Sequence, residues 1–93
     1  MNLPAELTDA ELLVLRAMLH VLTREPRGFT EPAWQGFTES HLGGEHLALE
    51  DFNRLRDLCA ARGYVLGAAH PITRKQRWAI TQAGQLALSQ LES

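Results

Sequence analysis

The sequence predicts a mainly α-helical domain that carries one small β-hairpin. Three observations predict it. Apolar residues recur at helical spacing through roughly the first sixty positions, the pattern turns to alternation after Gly63, and a fresh helix start follows at Thr81. The chain has 93 residues, enough for one hydrophobic core and too few for a second, so 1–93 reads as a single domain.

The first helix has the clearest start. Thr8 suits an N-cap, and Glu11 three residues later can reach back to close a capping box. Leu7 before the cap and Leu12 after it form the matching hydrophobic staple. Leu12, Leu15, Leu19 and Leu22 then repeat at helical spacing, with Val14, Met18 and Val21 widening the apolar arc and Arg16, His20, Thr23 and Arg24 on the wet side. Pro26 pushes the residue before it out of the α region, so the helix is expected over about 8–25. An arc this wide fits either a centrally buried helix or one that also lends surface to a dimer.

Residues 26–46 would make an unusually long loop, so a short helix is expected inside them. Thr30 suits its cap, Pro32 its first turn, and Trp34 and Phe37 share a face at i, i+3. Gly43-Gly44 breaks the chain afterwards. Phe29, Trp34 and Phe37 are half of the aromatic residues. They either roof a small core or form an exposed recognition patch.

The third helix is expected over about 47–62. Phe52, Leu55, Leu58 and Cys59 lie on one face, Glu50, Asn53, Arg54 and Asp57 largely on the other, and Gly63 stops it. Residues 64–66 and 78–80 then read as two strands, with Tyr64 and Leu66 sharing a face and Trp78 and Ile80 likewise. The polar, proline-bearing segment 70–76 suits the hairpin tip. Thr81 caps a last helix containing Ala83, Leu86, Ala87, Leu88 and Leu91, in which Gly84 would let another backbone come close.

Helix, short helix, helix, hairpin, helix is the winged helix-turn-helix order. Arg62-Gly63-Tyr64-Val65, a polar wing, and Arg77-Trp78-Ala79-Ile80-Thr81-Gln82-Ala83-Gly84 resemble the wing region of MarR-like and PadR-like bacterial transcriptional regulators. In those families a "GYV"-like turn ends a helix and the second wing strand runs into an "LT-x-AG" helix start; Ile80 stands here where leucine is common. The resemblance implies transcription regulation by binding double-stranded DNA. The third helix would enter the major groove, the wing would reach along the backbone or into the minor groove, and a symmetric homodimer would be paired through terminal helices. By that analogy the apolar surplus of the first helix, or Leu86 to Leu91, would be dimer surface.

Charge supports part of this. The net charge is −2, but residues 1–53 set three cations against nine carboxylates, and residues 54–93 set six cations against two. The basic half coincides with the wing-like segment. The expected DNA contacts are Asn53, Arg54 and Arg56 on the third helix and Thr73, Arg74, Lys75 and Arg77 on the wing, where hydroxyl and cationic groups suit phosphate oxygens. Glu50 and Asp51 lie in the first turn of that same third helix, preceded by Glu45, where carboxylates favour the helix dipole but repel phosphate. Four phosphates neutralised per protomer would give a dimer a log–log salt slope near −7, roughly a 10⁴-fold loss of affinity between 50 and 200 mM salt. The alternative is a winged-helix protein–protein interaction module, an adaptor or subunit, using an acidic, aromatic surface in 26–51 for a basic protein partner.

No enzyme is expected. Ser40, Ser89 and Ser93 sit in no nucleophile pattern, and Cys59 lies on an apolar face. His41, Glu45 and His46 are proper metal-ligand types but straddle Gly43-Gly44 in no established zinc spacing, so neither metal nor cofactor is expected. One cysteine builds no internal disulfide, no apolar run approaches the roughly 20 residues that span a bilayer, and the first six residues lack a signal-peptide pattern. The expected location is the cytoplasm, with no membrane partner.

Overall fold

The computed structural model describes residues 6–93; residues 1–5, on which most of the signal-peptide reading falls, lie outside the described residues. The order is α1 (Asp9–Leu22), β1 (Phe29–Thr30), α2 (Glu31–His41), α3 (Leu49–Ala61), β2 (Val65–Ala69), β3 (Gln76–Ile80) and α4 (Gln82–Glu92). The chain is therefore mainly helical with a small antiparallel sheet. No helix among the described residues is long and apolar enough to cross a membrane.

The local stop and start signals work as their chemistry requires. Thr8 Oγ1 accepts from Glu11 N–H at 3.1 Å while Glu11 Oε1 accepts from Thr8 N–H at 3.0 Å, closing the capping box. Gly63 takes φ +75, in the left-handed region, and Tyr64 N–H then reaches back to the Cys59 carbonyl at 2.9 Å, which terminates α3. Thr81 Oγ1 accepts from Gly84 N–H at 3.1 Å and starts α4.

Three boundaries differ from expectation. Helix α1 stops at Leu22 rather than near residue 25, because Thr23 tightens the end: its hydroxyl and its amide both donate to the His20 carbonyl. Helix α3 starts at Leu49 rather than 47, because the preceding stretch is pinned to α2. Leu47 N–H donates to Glu39 Oε2 at 2.7 Å, and Gln35 Nε2 donates to the Leu47 carbonyl at 2.9 Å. The strands run longer than read, leaving a tip of only 70–75.

The sheet holds a third strand that local sequence did not announce. Its order is β1-β3-β2, with Phe29 opposite Trp78 and Thr30 opposite Arg77. In the hairpin, Val65 pairs with Ile80 and Gly67 with Trp78. Directly opposed residues share a face, so Val65, not Leu66, joins Trp78 and Ile80 on the core side. Leu66 is accordingly 66% exposed, and the shared Tyr64/Leu66 face is corrected. Tyr64 is buried, but from the turn that ends α3.

The core joins Leu15, Met18, Leu19, Val21 and Leu22 of α1 to Trp34, Phe52, Leu55, Cys59, Val65, Trp78, Ala87 and Leu88. Trp34 and Phe37 do not share an environment: Trp34 is fully buried, whereas Phe37 is 46% exposed and leans on Phe29 at 5.1 Å. The buried partner of Trp34 on α2 is Thr38, whose hydroxyl donates to the Trp34 carbonyl at 2.8 Å. Cys59 is a core residue, and burial pushes its thiol up to about 12. Native protein is therefore expected to resist iodoacetamide at about pH 8, where a free cysteine reacts, and to gain one alkyl group by mass spectrometry only after unfolding. Alkylation of the folded chain at the free-cysteine rate would contradict this burial.

Candidate nucleic-acid interface

The residues read as DNA contacts separate into two groups with different neighbours. On α3 the cations are already paired. Arg54 Nη2 donates to Glu11 Oε2, tying α3 to the start of α1. The Thr8 amide and then Arg54 hold the Glu11 carboxyl below the usual carboxylate range. Arg56 is more deeply engaged, its side chain only 17% exposed. Its Nη1 donates to Glu31 Oε1 at 2.8 Å and to Asn53 Oδ1 at 3.0 Å, and its Nε and Nη2 donate to Asp57 Oδ1. The guanidinium carbon lies 5.9 Å from the Trp78 ring centroid, and Trp78 Nε1 donates to the same Glu31 oxygen at 3.3 Å. Arg56 thus joins α2, α3 and β3 at one carboxylate. Glu50, Asp51 and Asp57 are exposed along the outer part of α3.

The hairpin is different. His70 N–H donates to the Lys75 carbonyl and Arg74 N–H to the His70 carbonyl, both at 2.9 Å, so the strands close through a tight tip. Pro71 has no amide to satisfy. The amides of Ile72 and Thr73 both donate to His70 Nδ1, at 3.1 and 3.2 Å, and Lys75 N–H donates to Thr73 Oγ1 at 3.4 Å. The tip therefore has a defined shape although its side chains are wet; Ile72 is 84% exposed. The side chains of Arg74 and Lys75 meet no carboxylate among the described residues. Arg74 also takes φ +61, a left-handed conformation that glycine or asparagine adopts at much lower cost. Arg77 Nη1 donates to the Gly28 carbonyl at 3.1 Å, which steadies its stem against the turn before β1.

One cation near the hairpin escaped sequence reading. Arg27 lines a cleft with Glu25, His70 and Arg77. Only the β1–β3 pairing brings residues 25–30 beside 70–77, and two residues of strand leave no periodic signal.

The metal-ligand types do not converge. His41 stacks 4.7 Å from His20 and its Nδ1 lies 3.3 Å from Arg24 Nη2, while His46 turns to Glu39 at 3.4 Å. Partial desolvation, then the charges of His20, Arg24 and Arg16, hold His41 below the usual histidine range. No group of three or more His, Cys, Asp or Glu side chains gathers as a metal site among the described residues.

No family model, curated protein or solved structure matches the chain.

Proposed function

We propose that the chain is a winged helix-turn-helix domain that grips double-stranded DNA through its β2–β3 hairpin, as a wing, in the manner of the MarR-like and PadR-like regulators its sequence resembles. One observation carries the reading. The hairpin tip holds Arg74 in a left-handed backbone conformation and leaves Arg74 and Lys75 without counter-charge among the described residues, in a chain whose net charge is negative. A tip that served only to turn the chain would do better with glycine at that position. The arginine sits there at a backbone cost, and phosphate is a partner its unpaired guanidinium suits.

The expected mode is wing-led and tolerant of base sequence. Arg54 and Arg56 are tied to Glu11 and Glu31, and the free charges of α3 are carboxylates, which do not suit a helix that reads base edges. Three wing cations, Arg74, Lys75 and Arg77, imply a log–log salt slope of about −2.7 per protomer. That corresponds to roughly a 40-fold loss of affinity between 50 and 200 mM salt, and a homodimer doubles the slope. Fluorescence anisotropy with a random duplex at both salts tests it. Arg74→Ala with Lys75→Ala is expected to bring the slope to about −1 with the thermal midpoint unchanged. A flat response in the unaltered chain overturns the proposal.

A second reading rests on a separate surface. Phe37 on α2 is 46% exposed and Leu49 at the start of α3 is 61% exposed, the latter followed by Glu50 and Asp51. Leu49 with Glu50 and Asp51 is an apolar, acidic patch that suits a basic protein partner, whereas Phe37 lies beside Phe29, on the flank of α2 away from the Gln35 and Glu39 contacts to Leu47. Leu49→Ala tests the acidic patch, and Phe37→Ala, not a change at the buried Trp34, tests an aromatic contact.

A further inference from the structure

We infer that the cleft between the 25–27 turn and the tip end of the hairpin binds a terminal phosphate group, free or as a monoester. The cleft has a volume of about 510 Å³, within the range of small-ligand sites, and is lined by Glu25, Arg27, His70 and Arg77. Three of these four are donors with capacity to spare. The Arg27 guanidinium has no partner among the described residues. Arg77 uses one of its nitrogens on the Gly28 carbonyl and keeps the rest of its fork free. His70 accepts two backbone amides at Nδ1, which assigns its proton to Nε2 in the neutral ring. The imidazole is thus set as a donor by the same bonds that shape the tip.

Glu25 gives the site its selectivity. Its Oε1 accepts from Arg27 N–H at 3.0 Å, and its second oxygen has no partner among the described residues. A carboxylate beside an anion is repulsive unless the ligand brings a proton to it. Inorganic phosphate and phosphate monoesters hold at least one P–OH hydrogen for part or all of the time at neutral pH, whereas sulfate has none. The diester groups of a DNA backbone have none either, so the ligand favoured here is a terminal phosphate.

The inference shares only Arg77 with duplex binding. Arg74 and Lys75, whose replacement tests the wing, do not line the cleft, so either reading can fail alone. The probe is inorganic phosphate against sodium sulfate at matched ionic strength and neutral pH, followed by side-chain and backbone NMR shifts. Saturable shifts are expected at Arg27, His70 and Arg77, with sulfate about fivefold weaker, the worth of one hydrogen bond. Arg27→Gln should weaken phosphate by at least about fivefold without moving the thermal midpoint, since its guanidinium supports nothing else. Glu25→Gln should erase the preference for phosphate over sulfate while anion binding persists. Equal, unsaturating shifts with both anions, or an Arg27→Gln chain that binds phosphate as before, would overturn the assignment.

Discussion

Trp34→Ala is expected to remove about 3–5 kcal/mol of folding stability, a large share of the roughly 5–15 kcal/mol that holds a domain together. Trp34 is wholly buried, its ring meets Phe52 edge-on at 5.1 Å and lies 6.1 Å from Trp78, and its Nε1 donates to the Met18 carbonyl at 2.9 Å. The truncation therefore leaves a cavity where α1, α2, α3 and the sheet meet, and it cuts the tether from α2 to α1. Trp34→Phe separates the two effects. It keeps most of the apolar volume and loses the hydrogen bond, so a loss of about 1–2 kcal/mol is expected by urea denaturation. A Trp34→Ala midpoint within experimental error of the unaltered chain would contradict the packing described.

Gly84→Ala is expected to destabilise the fold by about 3 kcal/mol, the upper end of overpacking costs, lowering the melting midpoint by roughly 12–24 °C. Helix propensity alone argues for the reverse sign, a gain of about 1 kcal/mol on replacing glycine by alanine. Position decides the contest. A Cβ on Gly84 would overlap the Tyr64 carbonyl oxygen and come within 2.7 Å of Ile80 Cγ1. That carbonyl accepts from Thr81 N–H at 2.9 Å, at the junction of sheet and α4, so it cannot retreat without giving up a bond. Calorimetry of the two chains gives the sign directly, and a stabilised Gly84→Ala chain would mean that α4 does not press on the α3–β2 turn.

Features encoded within four residues were legible. The Thr8–Glu11 box, the stop at Gly63 and the cap at Thr81 all follow from short-range chemistry, and the hairpin and the small residue at Gly84 were visible as local composition although their contacts are not local. Leu7 is buried and Leu12 packs against the core, as apolar residues flanking the cap should. The misreadings share the opposite property. Strand β1 exists because a distant β3 offers it an edge, and the Val65/Leu66 face was set by register with β3 rather than by alternation alone. Phe37 sits three residues from Trp34 yet outside the core, since the neighbours that cover Trp34 come from α1, α3 and β3.

The candidate site divides along the same line. The cluster of Thr73, Arg74, Lys75 and Arg77 on a protruding element was readable as a cationic tip, because a polar, proline-bearing segment between two strands must be exposed. Whether a cation is free to meet a partner was not readable. Arg54 finds Glu11 across 43 residues of chain, and Arg56 finds Glu31 across 25. Arg77 is brought beside Arg27 and Glu25 only by strand pairing.

By itself, then, the sequence determined the order of helices and hairpin and the placing of positive charge on the tip, for both are written in caps, turns and local spacing. Only the tertiary structure decided which arginines are spent on the protein's own carboxylates and which face outward, since charge is a property of a residue and its availability a property of its neighbours.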